Sequence, residues 1–238
     1  MRLSRIINIS LLVLFALPQA CRADDREQLP KVLEVLKSVR SMTTYGYHYQ
    51  VKNIYPGNQE QTISGDACID LPRKMLWEKG AYSTTILTDK WYYKAEHEQQ
   101  LVSVIYLPGQ DKEAQLGSLY AALSLNSAFL QDSTIERYGK ILSFSVQHNI
   151  VSVKMKFRNL PALDTYELVF DLARNLPVSI LVRTFYAGFG GNTVQEIRCS
   201  RFRKEIPADC FSVQPYFEIK SGAVALKQYK NYKRHIEL

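Results

Sequence analysis

The sequence predicts a mainly β fold of the α+β class: a strongly curved antiparallel sheet with amphipathic helices covering its open mouth. Three observations carry that expectation. Alternating apolar and polar residues recur over most of the chain in runs of strand length joined by short turns. Apolar residues at three- and four-residue steps are confined to two stretches, one near each end of the first half. Fifteen tyrosines in 238 residues suit amphipathic strands, because tyrosine favours strands and has an apolar body with a polar tip. A sheet with one apolar face curls around it and needs a cover, and two amphipathic helices are what the chain offers. The length suits one core, and no repeat, low-complexity tract or linker divides it.

Residues 1–23 read as a secretory signal, with Arg2 and Arg5 ahead of the apolar run Ile6 to Leu17 and small residues around Ala20 and Ala23. The run is shorter than the ~20 residues that span a bilayer. Two processing routes stay open: ordinary cleavage after Ala23, or lipidation at Cys21, although Pro18 occupies the place where a lipoprotein signal carries leucine. The expected mature unit is residues 24–238, exported as a single domain. It loses Arg2, Arg5 and Arg22 but no acidic residue and so stays basic, with Lys227, Lys230, Lys233 and Arg234 concentrated at its end. That tail could meet an anionic membrane surface or a protein's acidic patch, or form a lysine-protected edge strand.

The first helix is expected from Asp24, with Pro30 in its first turn and Leu29, Val32, Leu33, Leu36 and Val39 on one face. Tyr45, Tyr47, Tyr49 and Val51 then alternate with polar or small neighbours, Pro56-Gly57-Asn58 turns, and Gln61 to Asp70 returns. Pro72 breaks Gly65–Asp70 from Lys74–Glu78, and Asp89-Lys90 closes a hairpin between Thr84–Thr88 and Trp91–Lys94. In this meander Met75, Trp77, Ile86, Trp91 and Tyr93 can share one side. Leu101 to Leu107 extends the sheet. A second helix is expected from Asp111, with Leu116, Leu119, Tyr120 and Leu123 on one face, ended or kinked near Asn126 and followed by a short turn at Ala128 to Leu130. Strands resume with Leu142, Phe144 and Val146, a tight turn at His148-Asn149, then Val151 to Phe157, Tyr166 to Phe170, Val178 to Val182, and Thr193 to Arg203 past a loop at Gly188 to Asn192.

The ordered set Gly65-Asp66, Pro72-Arg73, Met75-Leu76-Trp77, Ile86-Leu87-Thr88-Asp89, Trp91-Tyr92-Tyr93 and Glu98-Gln99 resembles the periplasmic lipoprotein carriers and outer-membrane lipoprotein receptors of the LolA/LolB-like family. The likeness runs from about Leu29 to Tyr106. It implies an incomplete barrel with a helical lid, set in the periplasm of a Gram-negative bacterium. The arginine thought to latch that lid falls on Leu71 here, and the cavity phenylalanine beyond it on Met75, so a differently held lid is expected.

The sequence assembles no set of reacting groups. His48, His97, His148 and His235 lie far apart and no Cys-x-x-Cys occurs, so no metal or other cofactor is expected. Glu96-His97-Glu98 reads as a solvated turn, Ser118 sits within a helix, and Gly188-Phe189-Gly190-Gly191 lacks a following helix to hold phosphate. The basic tail is too local to form a nucleic-acid groove. Cys199 and Cys210 flank Pro207 in a strand connection that could bring them together as a disulfide, leaving Cys68 as a buried thiol. The reading is a non-enzymatic exported protein that shelters a lipid or a lipoprotein's acyl chain, with Tyr47, Tyr49, Met75, Trp77, Trp91, Tyr93, Phe144, Met155, Phe157 and Phe170 as candidate cavity lining. The alternative is an envelope regulatory or scaffolding module that binds a protein partner, anchored at Cys21.

Overall fold

The structure, a computed structural model, describes residues 24–107, 131–158, 163–188, 191–207 and 209–238. The expected signal segment with Cys21, the expected helix from Asp111 with Ser118, and the turn at Ala128 to Leu130 lie outside these residues.

Among the described residues, twelve strands form one sheet in the order β14-β6-β5-β4-β3-β2-β1-β11-β10-β9-β8-β7. The first meander is β1 (Thr44–Ile54), β2 (Glu60–Asp70), β3 (Met75–Gly80), β4 (Ser83–Leu87), β5 (Trp91–Glu96) and β6 (Leu101–Tyr106). The second is β7 (Gly139–Gln147), β8 (Ile150–Phe157), β9 (Leu163–Asp171), β10 (Leu176–Gly188) and β11 (Gly191–Arg203). Short connections make neighbours antiparallel within each meander, and β1 joins β11 antiparallel to fuse the two. The exception is β14 (Lys233–Glu237), which lies parallel to β6 at one edge, the lysine-bearing edge strand of the sequence reading.

The sheet is curved and stays open. One contiguous core takes Leu107, just past β6, and Ile141 on β7, near opposite ends of the strand order. Only a sheet wrapped around that core brings both ends to it, and β7 does not pair with β14.

Among the described residues, two helices meet the concave side. On α1 (Asp24–Arg40), Val32, Leu36 and Val39 are buried and Leu29 and Leu33 are partly so, matching the predicted stripe. Pro30 lies inside this helix, beyond the first turn expected for it, and leaves one carbonyl of the preceding turn without its usual N–H partner. The short α2 (Asp132–Tyr138) buries Ile135, and its Asp132 accepts from Arg40 Nη2 at 2.5 Å, joining the helices.

The convex side of β3 to β6 carries a second core. A hairpin of β12 (Phe217–Lys220) and β13 (Ala223–Leu226) lays Phe217, Val224 and Leu226, with Tyr216, on Ile86, Tyr93, Ala95, Val102 and Val104. Ser221 and Gly222 both take positive φ, 51° and 77°, the geometry that closes a two-residue hairpin.

Two expected faces are broken by β-bulges. Register shifts occur between Ile141 and Ser143 and between Pro177 and Ser179. Each extra residue reverses the pleat, so Leu142 and Val178 are exposed rather than aligned with Phe144 and Ile180. The expected loop at Gly188 to Asn192 is tighter than read: Gly188 pairs with Gly191.

Candidate functional site

The candidate site is the concave apolar face beneath α1. Side chains alternate along each strand, so one face of β8, β9 and β10 presents Val151, Val153, Met155, Phe157, Tyr166, Leu168, Phe170 and Ile180. Tyr47 enters from β1 and stacks with Tyr45 at 6.0 Å and with Phe202 at 5.6 Å. Tyr49 and Phe144 are partly buried against the same core. Six of the ten candidate lining residues, Tyr47, Tyr49, Phe144, Met155, Phe157 and Phe170, are thus brought together.

Trp77, Trp91 and Tyr93 are not among them. Their strand neighbours Leu76 and Tyr92 take the concave positions, so the pleat sends these three rings to the convex face. There Phe217 meets Trp91 at 5.4 Å and Tyr93 at 6.0 Å, and Tyr216 meets Tyr93 at 5.0 Å. Met75, two residues before Trp77 on the same strand, shares its parity and is half-buried. Met75, Trp77, Ile86, Trp91 and Tyr93 do share one side, as the ladder Trp77–Ile86–Tyr93 requires, but it is the side away from α1.

The sequence reading missed Tyr45, Tyr166, Leu168, Ile180 and Phe202 as concave lining. Parity with Tyr47, Phe170 and Val182 was the available signal.

The concave face turns polar along the strands away from the core. The Tyr49 hydroxyl donates to the Glu78 carboxylate, which also accepts from Ser83 Oγ at 3.4 Å, and Lys94 Nζ donates to Glu96 at 2.6 Å. Burial first, and then the Glu78 contact, holds the Tyr49 phenol far above its ordinary pKa, so it stays a neutral donor. The Tyr49 ring lies over Gly65 and Gly80: a Cβ at either would sit 2.6 Å from its hydroxyl oxygen. That close approach explains the glycine that opens the motif. Deeper in, Tyr166 is buried, its hydroxyl has no hydrogen-bond partner among the described residues, and burial raises its pKa.

At the latch position, Leu71 is half-buried against the concave core, and its N–H donates to Thr43 O at 2.8 Å. The nearby cation, Arg73, is committed elsewhere: its Nε donates to Asp70 at 2.6 Å and its guanidinium lies 5.7 Å from the Phe211 ring centre.

The cysteines do not pair as expected. Cys199 lies in the concave core, where burial pushes its thiol up to about 12. Cys210 lies instead beside Cys68, and all three are free thiols. Cys68 follows Ala67 and precedes Ile69, both concave, so it faces the other way and the sheet separates it from Cys199.

The histidines remain scattered. His48 faces Asp66 at 3.2 Å, His97 packs on Tyr229 and Tyr232, His148 forms a turn, and His235 meets Glu237 at 2.8 Å. Among the described residues, no group of three or more His, Cys, Asp or Glu is placed to hold a metal ion.

No protein-family model matches the sequence, and no curated protein matches it. Solved structures do share similarity. A conserved protein from Thermus thermophilus aligns at 10% identity over 87% of this chain and 99% of its own, with a TM-score of 0.42. A LolA superfamily protein from Nitrosomonas europaea aligns at 8% identity over 75% and 96%, with a TM-score of 0.32. The lipoprotein LppX from Mycobacterium tuberculosis aligns at 11% identity over 78% and 100%, with a TM-score of 0.33.

Proposed function

We propose that this protein is a binding protein of the cell envelope, akin to the lipoprotein carriers, that shelters an acyl chain of a lipid or lipoprotein between the concave face and its helices. The observation that carries the reading is a contiguous apolar core on the concave face of the curved sheet, bordered by side chains left only partly buried: Leu29 and Leu33 on α1, Leu71, Tyr92, Ile105 and Phe144 on the sheet side. Those border groups are where a guest chain gains contact. Each methylene withdrawn from water contributes ~0.8 kcal/mol, so a dozen supply roughly 10 kcal/mol before the entropy of confinement is subtracted. The orphan Tyr166 hydroxyl is a donor that an ester or amide carbonyl of such a guest would satisfy. The exposed Lys233 and Arg234 on β14 favour approach to anionic lipid. With leucine at position 71, the lid is held by packing and by the Arg40–Asp132 pair rather than by a latch arginine.

Mass spectrometry of the protein purified from its native envelope tests this reading. A bound acyl lipid in near-stoichiometric amount is expected; no bound lipid, together with no uptake of a fluorescent fatty-acid analogue, would overturn it.

A second reading, an envelope scaffold for a protein partner, is favoured by β7. It ends the sheet with no strand pairing beyond it among the described residues, and Leu142 and Val146 on it are exposed. Lipidation at Cys21 would accompany that role.

A further inference from the structure

The Cys68 thiol is fully buried on the convex side of β2, opposite Gly46 of β1 and Trp77 of β3. Arg203, at the end of β11, crosses Gly46 so closely that a Cβ there would lie 2.9 Å from its Nε, and its Nη2 donates to Cys68 Sγ at 3.6 Å. The chain then turns back. Cys210 N–H donates to Pro207 O at 3.0 Å, and the next residue, Phe211, is buried with the Arg73 guanidinium 5.7 Å from its ring centre. This pinned turn brings the Cys210 thiol beside Cys68, near enough for each to perturb the other, while leaving Cys210 itself half-exposed.

We infer that Cys68 and Cys210 are a disulfide-forming pair, closed by a thiol–disulfide oxidant and locking the connection that carries the β12–β13 hairpin onto the sheet. The half-exposed Cys210, whose thiol is raised by the neighbouring Cys68 and then by burial, passes its proton to the Cys68 thiolate, attacks one sulfur of the oxidant's disulfide and expels the other as a thiolate. Cys68, as thiolate, then attacks Cys210 Sγ and expels the oxidant's second thiolate. Two electrons pass from the cysteine pair to the oxidant, and the two thiol protons go to the departing thiolates. The setting favours the second attack. In the reduced pair the Cys210 contact and then Arg203 draw the Cys68 thiol down to about 7 against the opposing effect of burial, and the Arg203 Nη2 contact at 3.6 Å still stabilises the Cys68 thiolate once Cys210 is bonded to the oxidant. Cys199 is excluded by its place in the concave core. The bond would bear on the convex cover rather than on the concave site, so it stands apart from the lipid reading.

The test is to treat the mature protein with oxidised glutathione, block free thiols, digest without reduction and map the peptides by mass spectrometry. One linked pair joining Cys68 to Cys210, with Cys199 as a free thiol, is expected, and a Cys199→Ser variant keeps the same link. Reduction of the bridged protein is expected to lower Tm by about 5–15 °C, from the usual worth of a disulfide in a chain of this size. A Cys199–Cys210 link, a Cys210 that stops at the glutathione adduct, or three thiols still free after oxidation would each overturn the inference.

Discussion

Replacing Phe217 by alanine separates the two faces of the sheet, because this ring belongs to the convex core alone. It is 3% exposed and is held between Trp91 at 5.4 Å and Tyr93 at 6.0 Å. Truncating a buried phenylalanine removes its transfer free energy and leaves a cavity, together about 3–5 kcal/mol. Lost aromatic pairing lies within that figure rather than adding to it. For a domain of this size the loss corresponds to a fall of roughly 6–20 °C in Tm. Urea unfolding followed by tryptophan emission is the assay, since Trp77 and Trp91 both flank this core and report its opening. Binding of a fluorescent fatty acid, measured well below the transition, should be unchanged. A stability loss under about 1 kcal/mol would refute the packing account. Loss of lipid binding in a still-folded variant would refute the assignment of the ligand to the opposite face.

Three further outcomes are expected. Gly65→Ala should destabilise by about 1–3 kcal/mol in chemical denaturation, because its Cβ would meet Lys79 O at 2.5 Å, the Tyr49 hydroxyl oxygen at 2.6 Å and the ring carbon bearing it at 2.7 Å. Leu71→Arg should slow the release of bound lipid in stopped-flow exchange by giving the helical lid a charged hydrogen bond worth ~1.5–3 kcal/mol; an unchanged rate would count against a lid that lacks only the latch arginine. Asp164 supplies an acid-side effect. Burial pushes its carboxyl up, but hydrogen bonds from Lys156 and Thr165 and the charge of Lys156 outweigh this and hold it below its ordinary value. Its contribution is therefore present above the unfolded-state carboxylate range and is lost as pH falls through the lower folded value. Lys156→Gln should narrow the difference between urea midpoints measured at neutral pH and near pH 3.

Strand positions were legible because alternation survives in any sheet. The turns at Pro56-Gly57-Asn58, Asp89-Lys90 and His148-Asn149 fall where their residue types place them, with His148 and Asn149 both at positive φ. Which face looks inward was not legible around Trp77. A strand covered on both sides has two apolar faces, and the wider rings drew attention to the convex one, whose cover arrives 120 residues and more later in the chain as β12 and β13. That cover was overlooked although Phe217 to Leu226 alternates around Ser221-Gly222, a hairpin signal, because its strands are only four residues long. Bulges at Leu142 and Val178 break parity through local backbone geometry that alternation does not encode. The cysteine pairing failed for a related reason: proximity in sequence put Cys199 with Cys210, whereas the pleat turns Cys199 into the concave core and Cys68, beside Cys210, to the other face.

The central claim is that an acyl chain lies on the concave side. Stearate carrying a nitroxide near its methyl end, added to protein with isotope-labelled side-chain methyls, tests it by paramagnetic broadening. The Met155 and Ile180 methyls, beneath α1, should broaden strongly while those of Val224 and Leu226, in the convex cover, keep their intensity. The reverse pattern, or equal and weak broadening on both faces, would contradict the account.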